Sequence, residues 1–295
     1  MKEQIIVLDE LTKSYGKHRG IQNLSFSVNA GEIFGFIGPN GAGKSTTIRT
    51  LMGLIRPTAG SSSIFGMDCQ AQASKIARNL GYLPSEDSYY ENMKVYELLQ
   101  YTADLYAMDC KDKMCELAER LHLDMSRKIA DLSLGNRKKV GIVSALMISP
   151  KLVIMDEPTS GLDPLIQQVF YEILLEENRK GTTIFLSSHV LSEVQKLCNR
   201  VAILKEGKLV GIQSMKELRE SGYKKVSVTT KQPIPSGYFS FEGIADYNLS
   251  SDKTSATFMY NGNIAVIMGK LHELDLVDVF LEEPSLEEIF LHYYE

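Results

Sequence analysis

Two spacings of apolar residues take turns along this chain. Near its start, Ile5-Ile6-Val7-Leu8 and Leu24-Ser25-Phe26-Ser27-Val28 follow the short-period pattern of strands, parted by the turn-like Tyr15-Gly16-Lys17. They predict a small antiparallel sheet. Glu32-Ile33-Phe34-Gly35-Phe36-Ile37 is an apolar run of strand length that leads into a glycine-rich loop and then a helical Thr46–Met52. From Val95 to about Ile148, Leu98, Leu99, Leu105, Leu117 and Leu121 fall at mixed three- and four-residue spacings, which predicts a helical subdomain.

After Pro150 the strand pattern returns in Lys151-Leu152-Val153-Ile154-Met155-Asp156, a buried run ending in acid. Asp163 as N-cap and Pro164 at the first helical position open a helix that Gly181 stops. Thr182–Ser187 is a further strand, ending near His189. Strands alternating with helices predict a parallel α/β sheet. Past Arg219 the order changes: strands at 225–230, 245–249, 255–260 and 277–281, helices at 264–274 and 285–294, the last with a Ser285/Glu288 capping box. The expected organisation is therefore a first domain over 1–220 and a small α+β accessory domain over 221–295.

Composition narrows the choice of partner. The chain carries 32 basic and 37 acidic side chains, a net charge of -5, whereas nucleic-acid binders present a clustered positive excess. Nucleic acid is not expected. Cys69, Cys110, Cys115 and Cys198 form no CxxC and have no His at metal spacing, so they read as reduced thiols of a cytoplasmic protein. No apolar stretch reaches the roughly 20 residues that span a bilayer, so a membrane role has to come through a partner.

Gly38-Pro39-Asn40-Gly41-Ala42-Gly43-Lys44-Ser45-Thr46 fits G-x-x-x-x-G-K-[ST]. In that pattern the glycines let backbone N–H groups turn inward around phosphate oxygens, Lys44 adds a cation and Ser45 offers a hydroxyl to Mg2+. A flexible glycine turn with an incidental lysine is the plainer reading. The strand before and the helix after weigh against it, because anion capture at a helix N-terminus needs both. At the end of the later strand, Asp156 can hold Mg2+ while Glu157 polarises an attacking water. Two solvent-facing acids after a buried strand are the alternative. His189 closes the next strand, within reach of a γ-phosphate.

These pieces occur in one order: Tyr15, the glycine loop, Gly81-Tyr82-Leu83-Pro84, Leu132-Ser133-Leu134-Gly135-Asn136, Asp156-Glu157-Pro158-Thr159-Ser160-Gly161-Leu162-Asp163-Pro164, and Ser187-Ser188-His189. In this respect residues 1 to about 220 resemble an ABC-transporter nucleotide-binding domain. The resemblance implies a RecA-like P-loop NTPase core with an antiparallel β subdomain and a helical subdomain, and an ATPase using ATP and Mg2+. It implies that Tyr15 stacks on adenine, Asp156 serves Mg2+, Glu157 is the catalytic base, Asp163 belongs to a dimer-contacting loop and His189 senses the γ-phosphate. Two copies, identical or paralogous, would stack head to tail, with Ser133, Gly135 and Asn136 closing the other copy's site.

Two positions depart from the family pattern. The usual signature is Leu-Ser-Gly-Gly-Gln, and here Leu134 stands at the first glycine, where a side chain reaches positive φ only at a cost. Ser85 stands where the family has glutamine, followed by Glu86, which is the remaining candidate for a metal contact and for coupling to a membrane partner. The final Glu283–Tyr294 resembles the end of ATPases serving ABC-2 type permeases of bacterial exporters. Its plainer reading is an amphipathic helix with Leu286, Ile289, Phe290 and Tyr293 on one face.

The leading expectation is an exporter ATPase on the inner face of the cell membrane, energising a separate transmembrane permease. The alternatives are a soluble ABC-type clamp working away from membranes, and a nucleotide-gated regulator with little turnover. Soluble relatives carry two cassettes or a long coiled-coil insertion, and this chain has neither.

Overall fold

The computed structural model describes residues 3–16, 18–86, 88–220 and 223–283. The expected helix 285–294, its capping box and the terminal resemblance beyond Glu283 lie outside them. The chain divides into two compact units, Met1–Met215 and Lys216–Glu295.

The first unit opens on two long antiparallel strands, β1 (Gln4–Tyr15) and β2 (His18–Asn29), with several register shifts along the pair. The buried strand β3 (Ile33–Ile37) leads to α1 (Lys44–Leu51). Next come β4 (Ala59–Ile64), β5 (Met67–Asp68), α2 (Ala73–Ala77) and β6 (Leu80–Leu83). The helical stretch is α3 (Val95–Tyr106), α4 (Lys111–Arg120), a 3-10 turn at Ile129–Asp131 and α5 (Leu134–Leu146). The unit ends with β7 (Leu152–Asp156), α6 (Pro164–Arg179), β8 (Thr183–Ser188), α7 (Leu191–Leu197), β9 (Arg200–Lys205) and β10 (Lys208–Ser214).

Two sheets result. One is antiparallel, in the order β2-β1-β4-β5, and the other runs β10-β9-β3-β8-β7-β6, parallel except for β10 at its edge. The Ala59-Gly60-Ser61-Ser62-Ser63-Ile64 segment has almost no apolar alternation to announce a strand. It becomes one because β1 supplies a partner row of hydrogen bonds. The parallel strands are buried on both faces, as their continuous apolar runs require.

One core fills the space between the sheets and takes in Ile48 and Leu51 of α1. Phe26 of the antiparallel sheet stacks on Phe34 at 5.6 Å, and Phe34 on Phe185 at 5.9 Å. Full burial of such a side chain contributes about 1.5–3 kcal/mol, against about 1 kcal/mol for a typical hydrogen bond. The strand that carries the glycine loop is thus held both by this aromatic packing and by its pairing with β8 and β9 on either side. On the helical side, Arg120 of α4 grips Glu176 of α6 through two hydrogen bonds of 2.6 and 2.9 Å, and Lys113 reaches Glu177 at 2.6 Å.

The second unit begins within α8 (Met215–Glu220). It contains β11 (Lys224–Thr230), β12 (Ile244–Leu249), β13 (Ser255–Tyr260), α9 (Ile264–His272) and β14 (Leu276–Glu282). The strands form an antiparallel sheet in the order β12-β13-β11-β14. Ile267 and Leu271 of α9 pack on Val226, Val228 and Phe258 in a separate core. The described residues of this unit are thus mixed α and β.

Candidate active site

Three neighbouring parallel strands end level with one another. Ile37 of β3 pairs with Ser188 of β8, and Ser187 of β8 pairs with Asp156 of β7. Gly38, His189 and Glu157, which follow those ends, therefore leave the sheet along the same edge. The register alone brings together segments more than a hundred residues apart.

The glycine loop turns tightly into α1. Gly43 has φ 107, and a Cβ there would fall 2.7 Å from the Ile21 side chain, so a larger residue is excluded on both counts. Among the described residues the amides of Gly41, Gly43, Lys44, Ser45 and Thr46 have no hydrogen-bond partner. They are the unpaired donors of a helix N-terminus, and with Lys44 they fit a polyphosphate. Asn40 and Gly41 are exposed at the rim of the loop, and Lys44 is buried. Its ammonium donates to the carbonyl of Gly38 at 2.7 Å and lies 3.2 Å from Glu157 Oε1.

Glu157 sits at φ 52, a left-handed conformation that a side chain adopts at some cost. The bend takes its carboxylate out of the line of β7. One oxygen meets Lys44, and the other lies 2.6 Å from His189 Nδ1. Its amide donates to both the carbonyl and the hydroxyl of Ser187, each at 3.2 Å. Asp156 is buried and accepts a 2.5 Å hydrogen bond from the Ser187 hydroxyl. The half-buried Tyr82 hydroxyl is pushed above its ordinary pKa by burial and then by the charge of Asp156.

α1, which carries Ser45, packs against β7, which ends at Asp156. A hydroxyl and a carboxylate are hard oxygen donors suited to Mg2+, which typically takes one or two protein ligands and completes its shell with substrate phosphates and water. Among the described residues no group of three or more His, Cys, Asp or Glu could hold a metal by itself. Glu86 is exposed on the loop after β6, and among the described residues no bond ties it to Ser45 or Asp156.

A buried carboxylate behind the site was not read from the sequence. Glu193, on α7, is 4% exposed, and it accepts hydrogen bonds from Ser188 Oγ at 2.9 Å and from the Thr159 hydroxyl. The Tyr171 hydroxyl also meets it, and is pushed up by burial first and by that negative charge next. Glu193 thus ties the residue before His189 to the Glu157–Asp163 loop. The available signal was an acid sharing the inward face of a short helix with Val194 and Leu197.

Ser133 is the N-cap of α5, and its hydroxyl accepts the Asn136 amide at 3.4 Å. Leu134 begins the helix in ordinary helical geometry, so the positive φ anticipated for it is not required; its side chain is exposed. A Cβ at Gly135 would lie 2.4 Å from the Gly161 carbonyl, so this glycine lets the start of α5 sit against the Glu157–Asp163 loop. Asp163 is the N-cap of α6, accepting the Ile166 amide at 3.0 Å. Tyr15 is exposed at the β1–β2 turn, with Lys13 Nζ 5.3 Å from its ring. Among the described residues no hydrogen bond or ion pair joins Ser133, Gly135 or Asn136 to the 38–46 loop of the same chain.

The ABC transporter family profile matches residues 21–160. The bacitracin transport ATP-binding protein BcrA of Bacillus licheniformis is 33% identical, covering 97% of this chain and 96% of its own. The chain belongs to the ATP-binding subunits of ABC transporters. The linearmycin resistance ATP-binding protein LnrL of Bacillus subtilis (strain 168) is 29% identical, over 96% of each chain. A solved structure of an ATP-binding subunit of an ABC transporter superposes with a TM-score of 0.69 at 31% identity, covering 73% of this chain and 92% of that one. As an ABC ATP-binding subunit the chain is an ATPase of P-loop fold, and the transporter reading stands over the soluble clamp. Subunits of this family dimerise and act with transmembrane permeases. No helix among the described residues is long and apolar enough to cross a membrane.

Proposed function

We propose that this chain is the ATP-hydrolysing subunit of an ABC exporter, a cytoplasmic protein docked at the inner face of the cell membrane on a separate permease of the ABC-2 type. The observation that carries this reading is the meeting of Lys44 and His189 on the two oxygens of Glu157 at the mouth of a loop of unpaired amides. The bacitracin-transport and linearmycin-resistance relatives support the outward direction.

In this reading Gly38, Asn40, Gly41, Gly43, Lys44, Ser45 and Thr46 wrap the ATP phosphates, and Tyr15 stacks on the base. Ser45 and Asp156 hold Mg2+, with Glu86 as a further oxygen donor and as the carboxylate nearest the permease. Bound there, Mg2+ would neutralise phosphate charge. Glu157 takes the proton of the attacking water, a task suited to a carboxylate already in hydrogen-bond contact with an imidazole, while His189 holds the γ-phosphate side. Ser133, Gly135 and Asn136 act on the nucleotide of a second subunit, identical or paralogous, which agrees with their lack of any tie to their own loop. Residues 221–295 form an accessory domain that supports the dimer or regulates it.

The test is turnover of the purified chain with ATP and Mg2+. Lys44→Ala should lose most ATP affinity, because the loop's fixed cation goes. Unchanged nucleotide binding in that variant would remove the assignment.

A further inference from the structure

The two places where this chain departs from the family pattern, the start of α5 and the Ser85-Glu86 segment after β6, are joined by one side chain. Lys138 stands little more than one turn into α5 and is 1% exposed. Its ammonium donates to the carbonyl of Pro84 at 3.0 Å and to that of Ser85 at 2.9 Å. A buried ammonium is tolerated only where its donors are engaged, and its three rotatable N–H groups can hold two carbonyl oxygens at once.

The connections on either side are short and stiff. Ser133, the N-cap, lies five residues before Lys138 in the same helix, about 7 Å along the axis at the ordinary rise. Glu86 follows Ser85 directly. The path from Ser133 through α5 and Lys138 to Glu86 thus contains one helix, one charged tie and one peptide unit. We propose that Lys138 is a positioning residue of the ATPase cycle. It binds the signature end of α5 to the loop after β6, so that engagement of Ser133 by a second subunit displaces the segment carrying Glu86. This rests on the proposed roles of Ser133 and Glu86.

The chain has no tryptophan, so Glu86→Trp places a single emission reporter beside the tie. In full-length protein that also carries Glu157→Gln, ATP with Mg2+ should give a dimer on size exclusion and, in step with it, a change in tryptophan emission. Lys138→Met keeps length and removes the donors; the dimer should persist while the emission change falls about tenfold, and Lys138→Arg should restore it. With the native Glu157 and Glu86, Lys138→Met should lower kcat about tenfold and leave the KM for ATP unchanged. A dimer whose reporter responds in full without the lysine overturns the inference alone. Failure of a Glu157→Gln chain with native Glu86 to dimerise overturns the proposed function beneath it.

If Lys138→Met does not fold, hydrogen exchange on the chain with Lys138 intact decides. The loop after β6 and the first turns of α5 should gain protection at one ATP concentration, and separate midpoints refute the tie.

Discussion

Lys44 Nζ lies 3.2 Å from Glu157 Oε1, so the cation of the phosphate loop is neutralised by the carboxylate at the end of β7. Lys44 is buried and Glu157 largely so, and an ion pair there is stronger than one in water while each partner has lost hydration. In the proposed function, phosphate oxygens and Glu157 compete for one ammonium, so entry of the nucleotide is expected to loosen the pair and leave Glu157 to His189 and to water.

Replacing Glu157 by Gln keeps the shape and removes both the base and the competing charge. Hydrolysis should fall by about 10² to 10⁴, the usual contribution of a general base, while ATP binds at least as tightly as before. The unturned complex should accumulate as a dimer on size exclusion, and Ser133→Arg in the same chain should abolish it, since a bulky cation at the N-cap blocks approach to the second nucleotide. A dimer that survives Ser133→Arg would take the signature segment out of the closing surface.

Glu193 should behave as a brace rather than as a reactant. Glu193→Ala leaves the hydroxyls of Thr159 and Ser188 without their buried acceptor, a loss of about 1–3 kcal/mol in stability. Because both hydroxyls flank the Glu157 and His189 segments, kcat should drop while the KM for ATP stays near its original value. Glu193→Asp should recover part of the rate. A variant that loses stability with no change in kcat would confine Glu193 to packing.

Residues 1–215 should fold and bind ATP on their own, since among the described residues their core cluster and both of their sheets are built from residues before Lys216. A chain ending at Met215 should keep a cooperative thermal transition and ATP affinity, with any loss falling on self-association. Aggregation of that fragment would count against a separable accessory domain.

Acid should loosen the contact between α4 and α6. Burial acts to raise the Glu177 carboxyl, and the hydrogen bonds from Lys113 and Lys180 more than reverse it, holding the group below the ordinary value of 4.5. A depressed carboxyl stabilises the fold above its unfolded pKa and stops doing so as pH falls through its folded one. Thermal unfolding of the unaltered chain and of Glu177→Gln should thus differ at neutral pH and converge as pH falls through the depressed folded-state value of Glu177. A gap that is the same at both ends of the range would exclude the ionised tie as its source.

The glycine loop, the strand ending in Asp156 and the α+β character of the second unit were legible in the residues themselves. Each is a local matter: glycine at positions of positive φ, apolar runs of strand length, a capping Asp before a Pro. Local spacing cannot say which distant segments meet. That Glu157 reaches both Lys44 and His189 depends on β8 lying between β3 and β7 with their ends level, and on a left-handed turn after Asp156. β4 went unread because its serines become a strand only against β1. Glu193 and Lys138 look in sequence like ordinary charges of surface helices. Only the packing shows them buried, one among hydroxyls and the other on two carbonyls, because a charge can be taken from water only where the assembled chain brings it partners.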